Sequence, residues 1–160
     1  MNGWSNFFGA ILGASATLAG LIFVGVSISL TRILAVPALP GRASESLILL
    51  LTALIISALC LVPGQPAFLL GIELLIIGII VWIITFITDL SILRKTEAPY
   101  KKNSKQNFVF TQLAVLPYII AGIVIIGIGP TGFYWLIPGI IFSFTKAVLD
   151  AWVLLVEIHR

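Results

Sequence analysis

Apolar residues in this sequence form long unbroken stretches, not stripes. The last stretch, from Thr131 to Val156, carries two charged side chains, Lys146 and Asp150. A helix needs about 20 consecutive apolar residues to cross the hydrocarbon of a bilayer. The strands of a membrane barrel would instead alternate over about ten residues, and no such alternation is present. Backbone groups inside a bilayer must be satisfied within the protein, which leaves helices. Five are predicted, over residues 6–34, 42–62, 67–93, 107–128 and 131–159. The expected fold class is all-α: one integral membrane helical bundle over residues 1–160, with five transmembrane helices.

Breakers mark the gaps. Pro37, Pro40 and Gly41 follow the first helix, Pro63-Gly64-Gln65-Pro66 separates the second from the third, and Gly129-Pro130-Thr131-Gly132 separates the fourth from the fifth. The two shortest turns predict antiparallel hairpins of helices two and three and of helices four and five. Ala14-Ser15-Ala16 resembles a signal-peptidase site, but no Lys or Arg precedes it and the apolar run continues beyond it. The first helix is therefore expected to be an uncleaved span. Pro117 and Pro138 lie inside helices four and five and predict kinks.

Charge supplies a direction. Arg32 and Arg42 flank the first loop, Arg94, Lys95, Lys101, Lys102 and Lys105 crowd the third, and Arg160 ends the sequence, whereas the second and fourth loops are uncharged. The positive-inside rule then places the N-terminus outside and the C-terminus in the cytoplasm, in a prokaryotic plasma (inner) membrane. Trp4, Tyr100, Tyr134 and Trp135 fall near the expected interfaces, as an aromatic belt would. Lys101, Lys102 and Lys105 read as solvated topology signals, with contact to anionic lipid as the alternative.

Composition agrees. Hydrophobic residues make up 60% of the chain and charged residues 9%, where a soluble domain has about 25% charged. The net charge of +3 is a topology signal, so no nucleic-acid partner is expected. Cys60 is the only cysteine and His159 the only histidine. These exclude an intramolecular disulfide and argue against zinc or haem, so no metal or cofactor is expected. No Ser/His or Cys/His arrangement and no phosphate-cradling loop suggests an enzyme.

The first helix carries Gly9, Gly13, Ala16, Gly20, Ser27 and Thr31 at spacings of three, four and seven. Small residues on one face let helix backbones approach in lipid, where association rests on close packing. The stripe is expected to pack within the chain, with a subunit interface as the alternative. Gly71, Gly78 and Thr85 form a weaker stripe on the third helix. Trp4-x-x-Phe7-Phe8, then Gly13-Ala14-Ser15-Ala16-x-Leu18-x-Gly20-Leu21-x-Phe23-Val24-x-Val26-Ser27, with Arg42-Ala43-x-Glu45 after it, resembles a family of small prokaryotic multi-pass membrane proteins. Some members of that family are designated modulators of the FtsH membrane protease. The likeness covers roughly a quarter of the chain, implies a membrane-protein partner, and brings no catalytic or binding residues with it.

The fifth helix holds a polar stripe of Gly139, Ser143, Lys146, Asp150, Val153 and Glu157 at spacings of four and three. At 1.5 Å rise per residue, Lys146 lies roughly 20 Å and Asp150 roughly 27 Å from the outer end. Glu45 falls at about 26 Å and Gln112 at about 24 Å, with Asp89 and Arg42 slightly deeper. Four helices thus bring polar groups to one layer of the cytoplasmic leaflet, and Lys146 is expected to pair with Glu45 as well as Asp150. The stripe reads as an ion-pair network that fixes helix register. The alternatives are the wall of a hydrated pore and a proton relay. Glu73, about 10 Å from the outer end of the third helix, has no basic residue at its depth. It reads as a protonated carboxylic acid hydrogen-bonded to a neighbouring helix or subunit, or as a cation or proton site.

Two functions follow as expectations. One is a self-associating protein forming an oligomeric channel or transporter, which requires the fifth-helix stripe to face an axis or cavity. The other is an accessory or regulatory protein that binds another membrane protein such as a membrane protease. That reading requires the stripe to be buried in one bundle and the small-residue face to be free. Membrane lipids are partners in either.

Overall fold

The computed structural model describes residues 2–36, 39–95 and 101–158. Pro37, Tyr100, His159 and Arg160 lie outside the described residues, as does the side chain of Glu157. Among the described residues every element is helical: α1 (Asn2–Ile28), α2 (Leu30–Ala35), α3 (Leu39–Cys60), α4 (Ala67–Lys95), α5 (Lys101–Gly127), a single 3-10 turn (Pro130–Gly132) and α6 (Phe133–Ile158). The five long helices are each long and apolar enough to cross a membrane. They correspond to the five predicted spans and make this a multi-pass membrane protein.

Several boundaries differ from expectation. The first predicted helix is broken at Ser29, whose backbone (φ −104°, ψ 14°) is not helical, and α2 resumes at Leu30. Gly25, Ser27 and Ser29 are weak helix formers, and the Ser27 hydroxyl donates back to the Phe23 carbonyl at 2.8 Å. The fourth predicted helix begins six residues early, at Lys101. Lys and Gln favour helix but are polar, so hydropathy assigns this exposed first turn to a loop. Pro40 and Gly41, expected as breakers, sit in the first turn of α3, where a proline loses no hydrogen bond. Gly64 (φ +72°) and Gly129 (φ +95°) take left-handed backbone at the two short turns, a conformation open to glycine at little cost.

Both predicted hairpins are present as neighbouring pairs, α3 with α4 and α5 with α6, but they are not the widest interfaces. The widest interface joins α4 to α5 across the long polar connection, and α3 meets α4 less than it meets α1 or α6. Helices α3, α4, α5 and α6 form a closed four-helix ring, and α1 lies outside it against α3. Glycines bring α4 and α5 together: a Cβ on Gly122 would stand 2.8 Å from the Leu75 nitrogen, and one on Gly71 would stand 3.1 Å from the Gly122 carbonyl. The core lies at the uncharged end, around Ile56, Leu74, Tyr118, Ile125 and Leu136. There Trp4 stacks on Phe8 with ring centres 5.8 Å apart and meets Phe133 and Tyr134, tying the start of α1 to the start of α6.

Outside the ring the surface is apolar, as a lipid-facing surface must be. Phe23, Ile28, Phe68, Ile87 and Trp152 are all more than 60% exposed. Only 11% of the apolar stretch of α1 is buried, against 50% for α3, so α1 is the peripheral helix.

Candidate functional site

Two features stand out: a charge layer inside the ring and an open face on α1. The layer sits toward the basic end of the bundle, the end carrying Arg94, Lys95, Lys101, Lys102 and Lys105. The Lys146 ammonium on α6 donates to Oε2 of Glu45 on α3 at 3.1 Å and to Oδ2 of Asp150 one turn along its own helix. Lys146 and Asp150 are each 2% exposed and Glu45 is 0% exposed. The expected pairing of Lys146 with both carboxylates is present, buried within one chain. The pore reading needs this stripe to face an axis or cavity; its charges are paired within one chain, with a pocket beside them.

Two residues join the layer from the other helices. Asn107 on α5 donates its side-chain amide to Oε2 of Glu45 and to Oδ1 of Asp89 on α4, each at 3.3 Å. All four ring helices are therefore tied at one level. Asn107 was not a sequence candidate because it stands at the predicted start of its helix. Its signal was present, since Asn107 and Thr111 share a face and the Thr111 hydroxyl donates to the Asn107 carbonyl. Two oxygens of the layer are buried without a hydrogen-bond partner, Oε1 of Glu45 and Oδ2 of Asp89. Beside it a pocket of ≈280 Å³ between α5 and α6 is lined by Arg42, Gln106, Asn107, Phe110, Lys146 and Asp150.

The remaining candidates have other partners. Gln112 accepts from the Trp82 indole at 2.7 Å, although its depth suggested the charge layer. Ser143 shares a buried 3.0 Å hydrogen bond with the Tyr118 hydroxyl. Gly139 makes room for that ring: a Cβ there would stand 2.9 Å from it. Glu73 has a partner that the sequence reading lacked. The amide of Gln65, in the turn between α3 and α4, donates to Glu73 Oε2 at 2.5 Å. Among the described residues no group of three metal-ligating side chains converges.

The stripe on α1 does not pack as expected. Nothing lies within 4 Å of where a Cβ would stand on Gly9, Gly13 or Gly20, and Ala16 between them is exposed. The helix meets the bundle with its other side, through Phe8 and Ser15, which are buried. Intrachain glycine packing falls instead to Gly71, Gly78 and Gly122.

Fold and site together define a multi-pass helical membrane protein with an internally paired charge layer and an unpartnered glycine face. No family model matches the chain, and neither does any curated protein or solved structure.

Proposed function

We propose that this is a non-catalytic accessory protein of the prokaryotic plasma membrane, with its N-terminus outside and C-terminus in the cytoplasm, that works by helix docking. It self-associates by laying the Gly9/Gly13/Ala16/Gly20 face of α1 against the same face of a second copy. The observation that carries this reading is the empty space over that face, on the helix least covered by its own bundle. Glycine and alanine at these spacings let two backbones come close enough for dense packing, which drives association in lipid. The charge layer favours a docking protein over a conduit, because the Lys146 ammonium is spent on Glu45 and Asp150 of its own chain.

A second reading puts a different membrane protein on the same face. The resemblance of this helix to a family with designated modulators of a membrane protease supports it.

The test is site-directed cross-linking in bilayers, in a Cys60→Ser background. Gly13→Cys and Gly20→Cys are expected to give dimers of this chain, whereas Ile80→Cys, on the exposed surface of α4, is not. Cross-links to a larger membrane protein would select the second reading. Monomers at every α1 position would reject both.

A further inference from the structure

The charge layer does not balance. Helix α3 presents Arg42 and Glu45, α4 presents Asp89, and α6 presents Lys146 and Asp150. Helix α5 faces the layer with neutral Asn107 and Thr111, and its Lys101, Lys102 and Lys105 are exposed, as are Arg32 of α2 and Arg94 and Lys95 of α4. Helix α1 has no charged side chain. Among the described side chains that face the layer, three carboxyls therefore meet two cations, Arg42 and Lys146.

The hydrogen bonds are unbalanced in the same place. Lys146 serves Glu45 and Asp150, and Asn107 gives one amide to Glu45 and Asp89 together. Left over are Glu45 Oε1 and Asp89 Oδ2, one oxygen from each carboxyl, both buried and without a donor. Both carboxyl groups accept from the same Asn107 nitrogen, each at 3.3 Å, which places them side by side, yet two carboxylates have no hydrogen to share. Adjacent buried carboxylates also repel at a level that a single amide does not offset. One proton between them supplies a donor for the orphaned oxygens, removes the repulsion, and brings the layer to neutrality with Arg42, Lys146 and Asp150.

We propose that Glu45 and Asp89 hold one proton between them, so that the charge layer is a proton-binding site built from all four ring helices. The pocket past Asn107 and Arg42, with exposed Gln106 on its wall, is the route by which that proton exchanges.

Infrared spectroscopy of the full chain in bilayers tests this. Glu73→Gln serves as background, because it removes the other intramembrane carboxyl outside the layer. At neutral pH a protonated carboxylic acid band that shifts in deuterated water is expected in this background. Adding Glu45→Gln or Asp89→Asn should abolish it, since either amide replaces the shared proton with its own donor. Helicity and monodispersity show whether each variant folds; if one fails, the other and the background decide. Absence of the band in the background overturns the proposal. So does its survival in either folded variant, which would put the proton on Asp150 or on one carboxyl alone.

Discussion

The Lys146 ammonium donates to the Glu45 carboxylate at 3.1 Å across a sequence separation of 101 residues, both side chains buried. This contact ties α6 to α3 within the ring, and the Asp150 carboxylate shares the same ammonium. Replacing Lys146 with Met strands two buried carboxylates. Breaking a buried pair by removing one partner costs about 3–5 kcal/mol, and a loss of that order is expected in denaturant unfolding in detergent. Adding Glu45→Gln and Asp150→Asn to Lys146→Met should recover most of it, because the penalty comes from stranded charge. Equal instability of the triple variant would show that the layer acts through shape instead.

Glycines on α1 and on α5 should respond in opposite ways. A side chain on Gly122 would run into the α4 backbone at Leu75 and Gly71, so Gly122→Val is expected to destabilise the monomer by about 1–3 kcal/mol or more. At Gly13 a Cβ would meet nothing in its own chain within 4 Å, and Gly13→Leu gains helix propensity of about 1 kcal/mol. Its monomer should unfold no earlier than the parent, while cross-linked dimers through α1 disappear. Thermal unfolding and cross-linking on the same samples separate the two effects.

The Tyr118 hydroxyl reaches Ser143 at 3.0 Å because Gly139 leaves room for the ring. Tyr118→Phe leaves the buried Ser143 hydroxyl without its partner, at about 1–3 kcal/mol. Ser143→Ala added to it should restore most of that loss, since both ends of the bond are then gone. Gly139→Ala should cost about 1–3 kcal/mol by pushing the ring. A double-mutant cycle on unfolding free energies checks all three, and additive single losses for Tyr118 and Ser143 would deny the bond any weight.

These residues also show what a sequence exposes. Helix length and hydropathy reveal the spans because the bilayer fixes both. Depth follows from the helical rise, which is why Lys146, Asp150 and Glu45 could be placed in one layer. Depth says nothing about direction around the helix axis, so Gln112, at the right level, turns to Trp82 instead. Hydropathy does not reveal Asn107, because it cannot see a helix continuing into polar residues such as Lys105 and Gln106. The glycine stripe of α1 was visible as a face, but spacing does not name the neighbour. Within the chain that place is taken by Gly71 and Gly122, and only the packing of α4 on α5 reveals it.

Gln65 shows the same limit at the uncharged end. Its turn read as a breaker between two spans, yet its side chain folds back along α4 and donates to Glu73 at 2.5 Å, with its own Oε1 left buried and unpartnered. Glu73→Gln keeps an acceptor for the Gln65 amide and adds a donor for that oxygen, so stability should change by less than about 1 kcal/mol. Glu73→Leu removes the acceptor and is expected to cost about 1–3 kcal/mol. Gln65→Leu combined with Glu73→Leu should recover most of that, because no polar group is then stranded. Unfolding in detergent measures the cycle. A Glu73→Gln variant as unstable as Glu73→Leu would mean that the carboxyl has work beyond this bond.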